Sequence, residues 1–447
     1  MNYDSAVRYL LSLGRELAAP TQAAAAKFNL ENITILMERL GRPDRAYPIV
    51  HIAGTNGKGS TAAFLERILR EAGFRTGLNT SPHLERINER FRIAGQEISD
   101  ELFAKTFTRI HEVIEGLLAE GKLRAHPTYF ECVTAMAFEV FTREKVDFGV
   151  IEVGLGGRLD ATNIVQPAIS IVTRVDFDHE NFLGHSMKEI AAEKAGILKE
   201  RTAAVFAGQI QEVREVLLER AKELGCAVTE VEEVFCVEKE SVEFGCVRAS
   251  VVEKATGKQF EVAPRLMGRF QLWNALNALA AARILRERNY RISDEAIEQG
   301  IALTEWPGRI ERIQTRPDVY LDGAHNPGAA RELAKFIGEN FGGRRIYLIF
   351  GAMRDKAVDE VGGLLFPLAA EVIFTEPRTP RAISAGRLAE MAGHLVAKFS
   401  VVAEVEAAVE MALAKARPED AIFVTGSLYL VGQVRGWWGR GRNVASG

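Results

Sequence analysis

A glycine-rich segment with one lysine, GTNGKGS at residues 54–60, could hold the phosphates of a nucleotide. It follows the apolar run PIVHIA and precedes the amphipathic pattern STAAFLERILREAG, which predicts a strand, a tight turn and a helix in that order. Backbone N–H groups at such a turn and the N-terminus of the helix attract anions. Lys58 could contact a terminal phosphate, and Ser60 could bind Mg²⁺. The alternative is an ordinary glycine-rich turn without a ligand.

The segment departs from the common phosphate loop, in which G-x-x-x-x-G-K is followed directly by Ser or Thr. Here Gly59 separates Lys58 from the hydroxyl of Ser60, and Ile52 occupies the position of the first glycine. The combination of a strand, Gly-Lys, a hydroxyl and a helix still predicts nucleotide binding.

Acidic and histidine side chains follow two further predicted strands. Glu152 ends VDFGVIEVG, where its carboxylate could face Mg²⁺ or pair with an arginine at the rim of the sheet. His179 follows AISIVTRV and has Asp176 and Asp178 beside it. A lone histidine is more often structural than a metal ligand, and the acidic neighbours at a strand end keep the ligand role open. Lys194 lies in a predicted helix, where a solvated surface charge is the default interpretation of any lysine.

Polar residues in the second half of the chain are further candidates for contacts with a ligand. Asn274 lies on an otherwise apolar predicted helix, so its amide needs a packing hydrogen bond or a ligand. Arg309 follows a Pro-Gly break and could contact a phosphate when two domains close, or form an inter-domain ion pair. Asp322 and His325 follow a predicted strand in VYLDGAHNPGAA, which suits a ribose or phosphate contact.

The elements that must position these residues alternate between short apolar strands and helices, which predicts βα units around parallel sheets. Residues from about 231 to 262 alternate between apolar and polar and predict a small antiparallel sheet. We therefore predict an α/β fold. An N-terminal P-loop-type domain with a mostly parallel sheet would cover residues 1–303, a linker 304–311, and a C-terminal doubly wound α/β domain 312–447. Ligands of such folds bind at the carboxyl ends of the strands.

Composition excludes several classes of protein. The chain has 447 residues and a formal net charge of −4, so it has no general attraction for nucleic acid or anionic membranes. No apolar run reaches the roughly 18 residues of a membrane span, and the N-terminus lacks the apolar core of a signal peptide. The 4 cysteines are scattered, which favours a reducing cytosol over disulfides or a zinc site. We expect a cytoplasmic monomer without nucleic-acid or membrane partners.

Several motifs together resemble the folylpolyglutamate synthase/dihydrofolate synthase family, within the Mur-type ATP-dependent amide ligases. They are, in chain order, GTNGKGS, SPHL, TYFE, EVGLGGRLDATN, DH, EKAGI, WPGR, DGAHNP and TGSLYLVG. The resemblance covers nearly the whole chain, and the set is highly specific although no single motif is. It also accounts for the phosphate loop, because the Mur-ligase version has an extra glycine before the hydroxyl.

The resemblance implies sites for ATP and Mg²⁺. The ATP phosphates would contact Thr55, Asn56, Gly57, Lys58, Gly59 and Ser60. Asn274, Arg309 and Asp322 would also contact ATP, and His325 would lie by its adenosine or phosphate side. The Mg²⁺ ligands would be Ser60, Ser81, Glu152, His179 and Lys194, because the lysine of EKAGI is carbamylated in family members and a carbamate resembles a carboxylate. Catalytic roles would belong to Lys58, Lys194, Arg309 and His325.

The resemblance also implies ligation of L-glutamate to a folate-type carboxylate through an acyl phosphate. Residues matching the acceptor site are Phe28, Leu30, His83, Thr128, Phe130, Leu159, Asp160 and Ala161. Residues 27–30, KFNL, depart from the D-L-G-L form of dihydropteroate-using members, so the acceptor could be dihydropteroate, a reduced folate, or both. The alternatives are another Mur-type amide ligase, a small-molecule phosphotransferase, and a nucleotide-binding regulator without chemistry. Only about 50 residues precede the phosphate loop, too few for the separate first domain of cell-wall Mur ligases.

Overall fold

A computed structural model describes residues 1–14, 29–354 and 356–445, with side chains up to residue 441. Phe28, which we predicted at the acceptor site, lies outside the described residues.

Eight strands form the first sheet: β1 Ile49–Ala53, β2 Thr76–Asn79, β3 Phe91–Ile93, β4 Gln96–Glu97, β5 Phe148–Glu152, β6 Ile169–Val172, β7 Ala203–Phe206 and β8 Ala227–Glu230. Their order across the sheet is β4-β3-β2-β5-β1-β6-β7-β8. All neighbours are parallel except β2 with β3 and β3 with β4. β1 is therefore central and places residues 54–60 beside the end of β5.

The helices of this part of the chain are α1 Tyr3–Ser12, α2 Glu31–Arg39, α3 Lys58–Glu71, α4 Asp100–Ala119, α5 Tyr129–Arg143, α6 Glu180–Leu183, α7 Met187–Ala195, α8 Gln211–Glu223, α9 Val231–Val234, α10 Phe270–Glu287 and α11 Asp294–Ala302. One apolar cluster joins the sheet to α3, α10 and α11, and another joins the opposite face to α1, α2, α4 and α5. Apolar side chains buried on both faces explain why the central strands are continuously apolar.

A small antiparallel sheet consists of β9 Phe235–Glu243, β10 Cys246–Glu253 and β11 Gln259–Val262. This confirms the antiparallel pattern predicted from about residue 231. The first residues of that range, Val231–Val234, form the single helical turn α9 and not a strand.

The third sheet contains β12 Glu311–Gln314, β13 Asp318–Leu321, β14 Ile346–Phe350, β15 Glu371–Phe374, β16 Phe399–Val401 and β17 Ala421–Thr425, with α12 Pro327–Asn340, α13 Val358–Leu365, α14 Ala385–Ala392, α15 Val405–Lys415 and α16 Leu428–Ala445. The order is β12-β13-β17-β14-β15-β16, and β12 alone pairs in the antiparallel sense. Separate apolar clusters cover its two faces, as a doubly wound fold requires.

The predicted α/β fold class is thus confirmed. Residues 303–310 connect α11 to β12, and the exact domain boundaries that we placed in this region stay a prediction. Within the described ranges, no helix is long and apolar enough to cross a membrane.

Candidate active site

The phosphate loop candidate is a tight turn between β1 and α3. Gly57 has φ +90°, and a Cβ atom there would collide with the side-chain oxygen of Asn274 on α10, so this position needs glycine. A side chain at Gly59 would come within 3.0 Å of the Trp306 indole nitrogen. The backbone N–H of Thr55 donates to the Arg174 carbonyl at 2.9 Å. Contacts with Asn274, Trp306 and Arg174 therefore restrict the conformation of the loop.

Two lysines donate to the same backbone carbonyl at the start of this loop. Lys58 Nζ is 3.1 Å from the Gly54 oxygen and 3.1 Å from the Thr55 oxygen, while Lys194 Nζ is 2.9 Å from the Gly54 oxygen. Lys194 on α7 is only 3% exposed, so the default interpretation as a solvated surface charge is wrong. Burial lowers the pKa of Lys194 to about 7, with a further contribution from the positive charge of Lys58.

Glu152 is the last residue of β5 and lies beside the phosphate loop. It is 5% exposed, and its Oε2 accepts the backbone N–H of Ser81 at 2.9 Å. Burial raises the pKa of Glu152, while the positive charges of Lys58 and Arg309 oppose that rise. Glu152 is thus a buried carboxylate beneath cationic groups and not an exposed rim residue.

Oxygen atoms that suit Mg²⁺ follow the neighbouring strands β1, β2 and β5. Ser60 is buried in the first turn of α3, and the Ser81 backbone is held against Glu152. Mg²⁺ prefers hard oxygen ligands and is commonly bound through one or two carboxylates plus phosphates. A buried carboxylate whose pKa is raised by burial gains from a cation, because the cation offsets the desolvation of its charge. These residues therefore fit the metal.

A second group of charges joins the 176–179 segment to the C-terminal sheet. Lys356 Nζ lies 2.6 Å from an Asp178 carboxylate oxygen and 3.3 Å from His179 Nε2. Asn326 donates to Asp178 at 3.2 Å, and His325 Nε2 is 3.5 Å from the same carboxylate. Burial opposes ionisation of Asp178, but its contacts with His325 and Lys356 hold its pKa well below the usual range.

A reciprocal amide pair lies next to these charges. The side chain of Asn56 in the phosphate loop donates to Asn326 at 3.2 Å, and Asn326 donates back at 3.1 Å. Asn326 is the N-cap of α12, whose N-terminus therefore abuts the phosphate loop. The DGAHNP segment is thereby held directly against the GTNGKGS segment.

Arg309, in the predicted linker, lies within the electrostatic influence of Glu152 and Asp322. Arg309 is half-buried, its Nη1 is 3.3 Å from the Gly308 carbonyl, and burial lowers its pKa despite the charges of Asp322 and Glu152. Asp322 accepts the backbone N–H groups of Ile310 and Ala324, each at 2.9 Å, so it ties the linker to the DGAHNP segment. The negative charges of Asp322 and Glu152 thus act on Arg309, as in the inter-domain ion pair that we weighed, and oppose the lowering of its pKa.

The predicted acceptor residues lie on adjoining elements. The Phe130 ring, in the first turn of α5, packs where a side chain on Gly154 would otherwise sit. Thr128 caps α5, and the Asp160 carboxylate accepts the Leu155 N–H at 2.9 Å, which fixes the loop that carries Leu159 and Ala161. Leu30 is the N-cap of α2, which packs against the same apolar cluster as Phe130.

His83 is the remaining acceptor candidate. Its Nδ1 accepts the Arg90 Nε–H at 2.8 Å, and the Arg90 guanidinium lies 5.7 Å from the centre of the Tyr129 ring. The SPH segment is thus connected both to Glu152 through Ser81 and to the start of α5 through Arg90. The sequence analysis did not identify Lys356, Asn326 and Trp306 as site residues, although Asn326 lies within DGAHNP and Trp306 within WPGR.

The chain is similar to known proteins over most of its length. The chain matches the Mur ligase middle domain over residues 52–282 and the Mur ligase glutamate ligase domain over residues 308–428. It is 35% identical over 412 residues to a Bacillus subtilis (strain 168) dihydrofolate synthase/folylpolyglutamate synthase, which covers 90% of this chain and 92% of the relative.

Two solved structures are similar to the whole chain. Mycobacterium tuberculosis folylpolyglutamate synthase complexed with ADP and AMPPCP has a TM-score of 0.86 at 32% identity, covering 92% of this chain and 95% of that one. Escherichia coli FolC in complex with DHPP and ADP has a TM-score of 0.83 at 29% identity, with 98% of each chain covered.

Proposed function

Because the chain belongs to the folylpolyglutamate synthase/dihydrofolate synthase family of Mur-type ligases, we propose that it joins L-glutamate to the carboxylate of a folate, with ATP converted to ADP and phosphate. The observation that carries this proposal is the meeting of the phosphate loop, the buried Glu152 and Lys194, and the DGAHNP segment in one place. A carboxylate acceptor, a nucleotide and an amine can be held together there.

The chemistry follows from the poor reactivity of a carboxylate toward amines. The acceptor carboxylate oxygen attacks the γ-phosphorus of ATP, the bond to the β-phosphate oxygen breaks, and ADP leaves. The resulting acyl phosphate is attacked by the glutamate amine, which loses a proton, and inorganic phosphate leaves. Lys58 and Arg309 place positive charge where negative charge develops on the transferred group. Closure around the site excludes water that would hydrolyse the acyl phosphate.

Mg²⁺, when bound, neutralises charge on the phosphate oxygens. We propose that Mg²⁺ would be held by Ser60, Ser81, Glu152, His179 and a carbamylated Lys194. Carbamylation needs a neutral amine, and the pKa of Lys194, lowered to about 7, supplies it near neutral pH. A carbamate also retains one N–H, so the bond to the Gly54 carbonyl can persist while two new oxygens become available.

We propose that the acceptor's flat ring system lies on the surface formed by Leu30, Thr128, Phe130 and the 159–161 loop. Phe130→Ala is expected to raise KM for the acceptor about 10-fold, because an aromatic contact is lost. KM for ATP should stay within about 2-fold, since Phe130 is not part of the phosphate loop. Phe244→Ala is a matched control, because Phe244 is 78% exposed at the β9–β10 turn. Equal acceptor KM values in the two variants would contradict the assignment.

The experiment that tests the function is ADP release by purified protein with MgATP and L-glutamate, offering dihydropteroate and tetrahydrofolate separately, with mass spectrometry of the products. A gain of one glutamate on both acceptors is expected for the dual enzyme. Addition of glutamate to tetrahydrofolate alone would indicate that residues 27–30 exclude dihydropteroate. ADP release that does not require glutamate would support a phosphotransferase and reject the ligase.

We further propose that the protein works as a monomer in the cytoplasm. All four cysteines are free, which supports a reducing compartment.

A further inference from the structure

A cluster of metal-binding side chains lies outside the candidate active site. His111 and Glu115 are on α4, and His126 precedes α5. One ligand atom from each lies within 4.8 Å of the other two. None of the three has a part in the ligase chemistry described above.

The orientation of His126 resembles that of a metal ligand. Its Nδ1 is 2.7 Å from the Pro127 carbonyl oxygen, and since a carbonyl can only accept, Nδ1 carries the proton. The lone pair is then on Nε2. Histidines that bind metals commonly donate the other ring N–H to a backbone carbonyl in this way, which fixes the tautomer.

Nε2 is therefore the atom of His126 that is available to a metal ion. Tyr9 on α1 donates its hydroxyl to this atom at 3.2 Å, and the Tyr9 ring lies 4.7 Å from the ring of His111. A metal ion bound at Nε2 would therefore replace this hydrogen bond from Tyr9.

His111 and Glu115 are spaced four residues apart, so they project from the same face of α4. His111 Nδ1 is shielded from solvent and makes no hydrogen bond to any part of the chain that the structure describes. The carboxylate of Glu115 is 3.8 Å from it, which is too long for a hydrogen bond. His111 Nδ1 thus lies beside a carboxylate and near a second imidazole, with its hydrogen-bonding capacity unused among the described residues.

We infer that His111, Glu115 and His126 bind a divalent transition-metal ion of the zinc class. Two imidazoles and one carboxylate suit Zn²⁺ far better than Mg²⁺. Ligand atoms bound at about 2.1 Å from a shared ion lie roughly 3.4 Å apart, so side-chain rotation must bring them closer together. The ion ties the segment before α5 to α4, two residues from Thr128. The role of the ion is structural, since it orders the segment that precedes α5, the helix that carries Phe130.

The alternative is that the rings of His111, Tyr9 and Phe107 only pack against one another. His111 stacks near Phe107, with ring centres 6.2 Å apart, and Tyr9 contacts Phe107 as well. Packing alone predicts no affinity for metal ions, so direct binding separates the two interpretations.

The test is titration of chelator-treated, tag-free, full-length protein with Co²⁺ in excess Mg²⁺. The Mg²⁺ occupies oxygen-rich sites, and cobalt in a compact nitrogen and oxygen site gives visible ligand-field absorption. We expect one equivalent bound, displaced by Zn²⁺, without the near-ultraviolet thiolate band that a cysteine ligand would cause.

Glu115→Gln and His126→Ala should each weaken Co²⁺ binding by at least about 10-fold. The Glu115 side chain is 54% exposed, so Glu115→Gln is expected to fold normally, and a thermal melt checks this. The control is His394→Ala, which replaces an exposed histidine in the C-terminal sheet region. This variant should bind Co²⁺ with the affinity of the parent protein. Absence of a cobalt band in the parent, or a band that survives in both variants, would overturn the inference.

Discussion

Lys58→Ala is expected to abolish ligation while the protein remains folded. Among the described residues the side chain donates only to two backbone carbonyls of its own loop, so its removal costs about 1 kcal/mol of stability per hydrogen bond. Its loss removes positive charge at the transferring phosphoryl group, where one missing donor commonly reduces turnover by at least about 100-fold. ADP release with acceptor and glutamate, alongside a thermal melt, measures both effects.

Two further variants separate charge from packing at this position. Lys58→Met keeps most of the aliphatic stem and should be as inactive as Lys58→Ala. Lys335→Ala removes an exposed lysine from α12 and should retain activity. Turnover by Lys58→Met within about 3-fold of the parent would show that the charge has no catalytic role, and an early melt of Lys58→Ala would show a structural one.

The strands around the candidate site could be predicted from the sequence because their apolar runs are continuous. β1, β5, β6, β13 and β17 each follow from such a run and end beside a polar motif. β3, β4 and β16 have two or three residues, too few for a periodic pattern, and were not predicted. The α/β fold class and the resemblance to the ligase family are confirmed, since both rest on many strand ends and motifs and not on any single one.

The contacts across the candidate site could not be predicted, because they join segments that are far apart in the chain. Asn56 pairs with Asn326, and Lys356 with Asp178, through contacts that no local pattern encodes. The burial of Lys194 could not be predicted either, because the pattern of a helix does not determine whether a single lysine faces solvent or the protein interior. The roles assigned to individual site residues stay predictions.

The shared carbonyl of Gly54 explains why Lys194 differs from an ordinary lysine. Two ammonium groups that donate to one oxygen repel each other, and burial removes the water that would screen them. Loss of the proton from Lys194 relieves this repulsion. Carbamylation goes further, because it places a negative charge beside Lys58. With Asp178 and Asp160 also near, that negative charge needs a cation, which agrees with a metal site.

Lys194→Ala is expected to lose at least about 100-fold in turnover, and acetate or propionate should partly restore it. A short carboxylate fits the space left by the lysine and supplies the oxygens of the carbamate. Lys188→Ala, at an exposed position on the same helix, is the matched control and should be unaffected. Rescue by methylamine but not by carboxylates would show that the cation is the required form, and full activity without rescue would remove Lys194 from the mechanism.

The same lysine predicts a pH-dependent response to bicarbonate in the parent protein. Only the neutral amine attacks CO₂, forming a C–N bond and releasing a proton. Because the pKa of Lys194 is lowered to about 7, most of the amine is neutral above that pH and most is protonated below it. Protein depleted of CO₂ should therefore regain turnover with bicarbonate above pH 7, and progressively less as the pH falls through that value. A bicarbonate response that does not change across this range, or that persists in Lys194→Ala, would place the effect on another group.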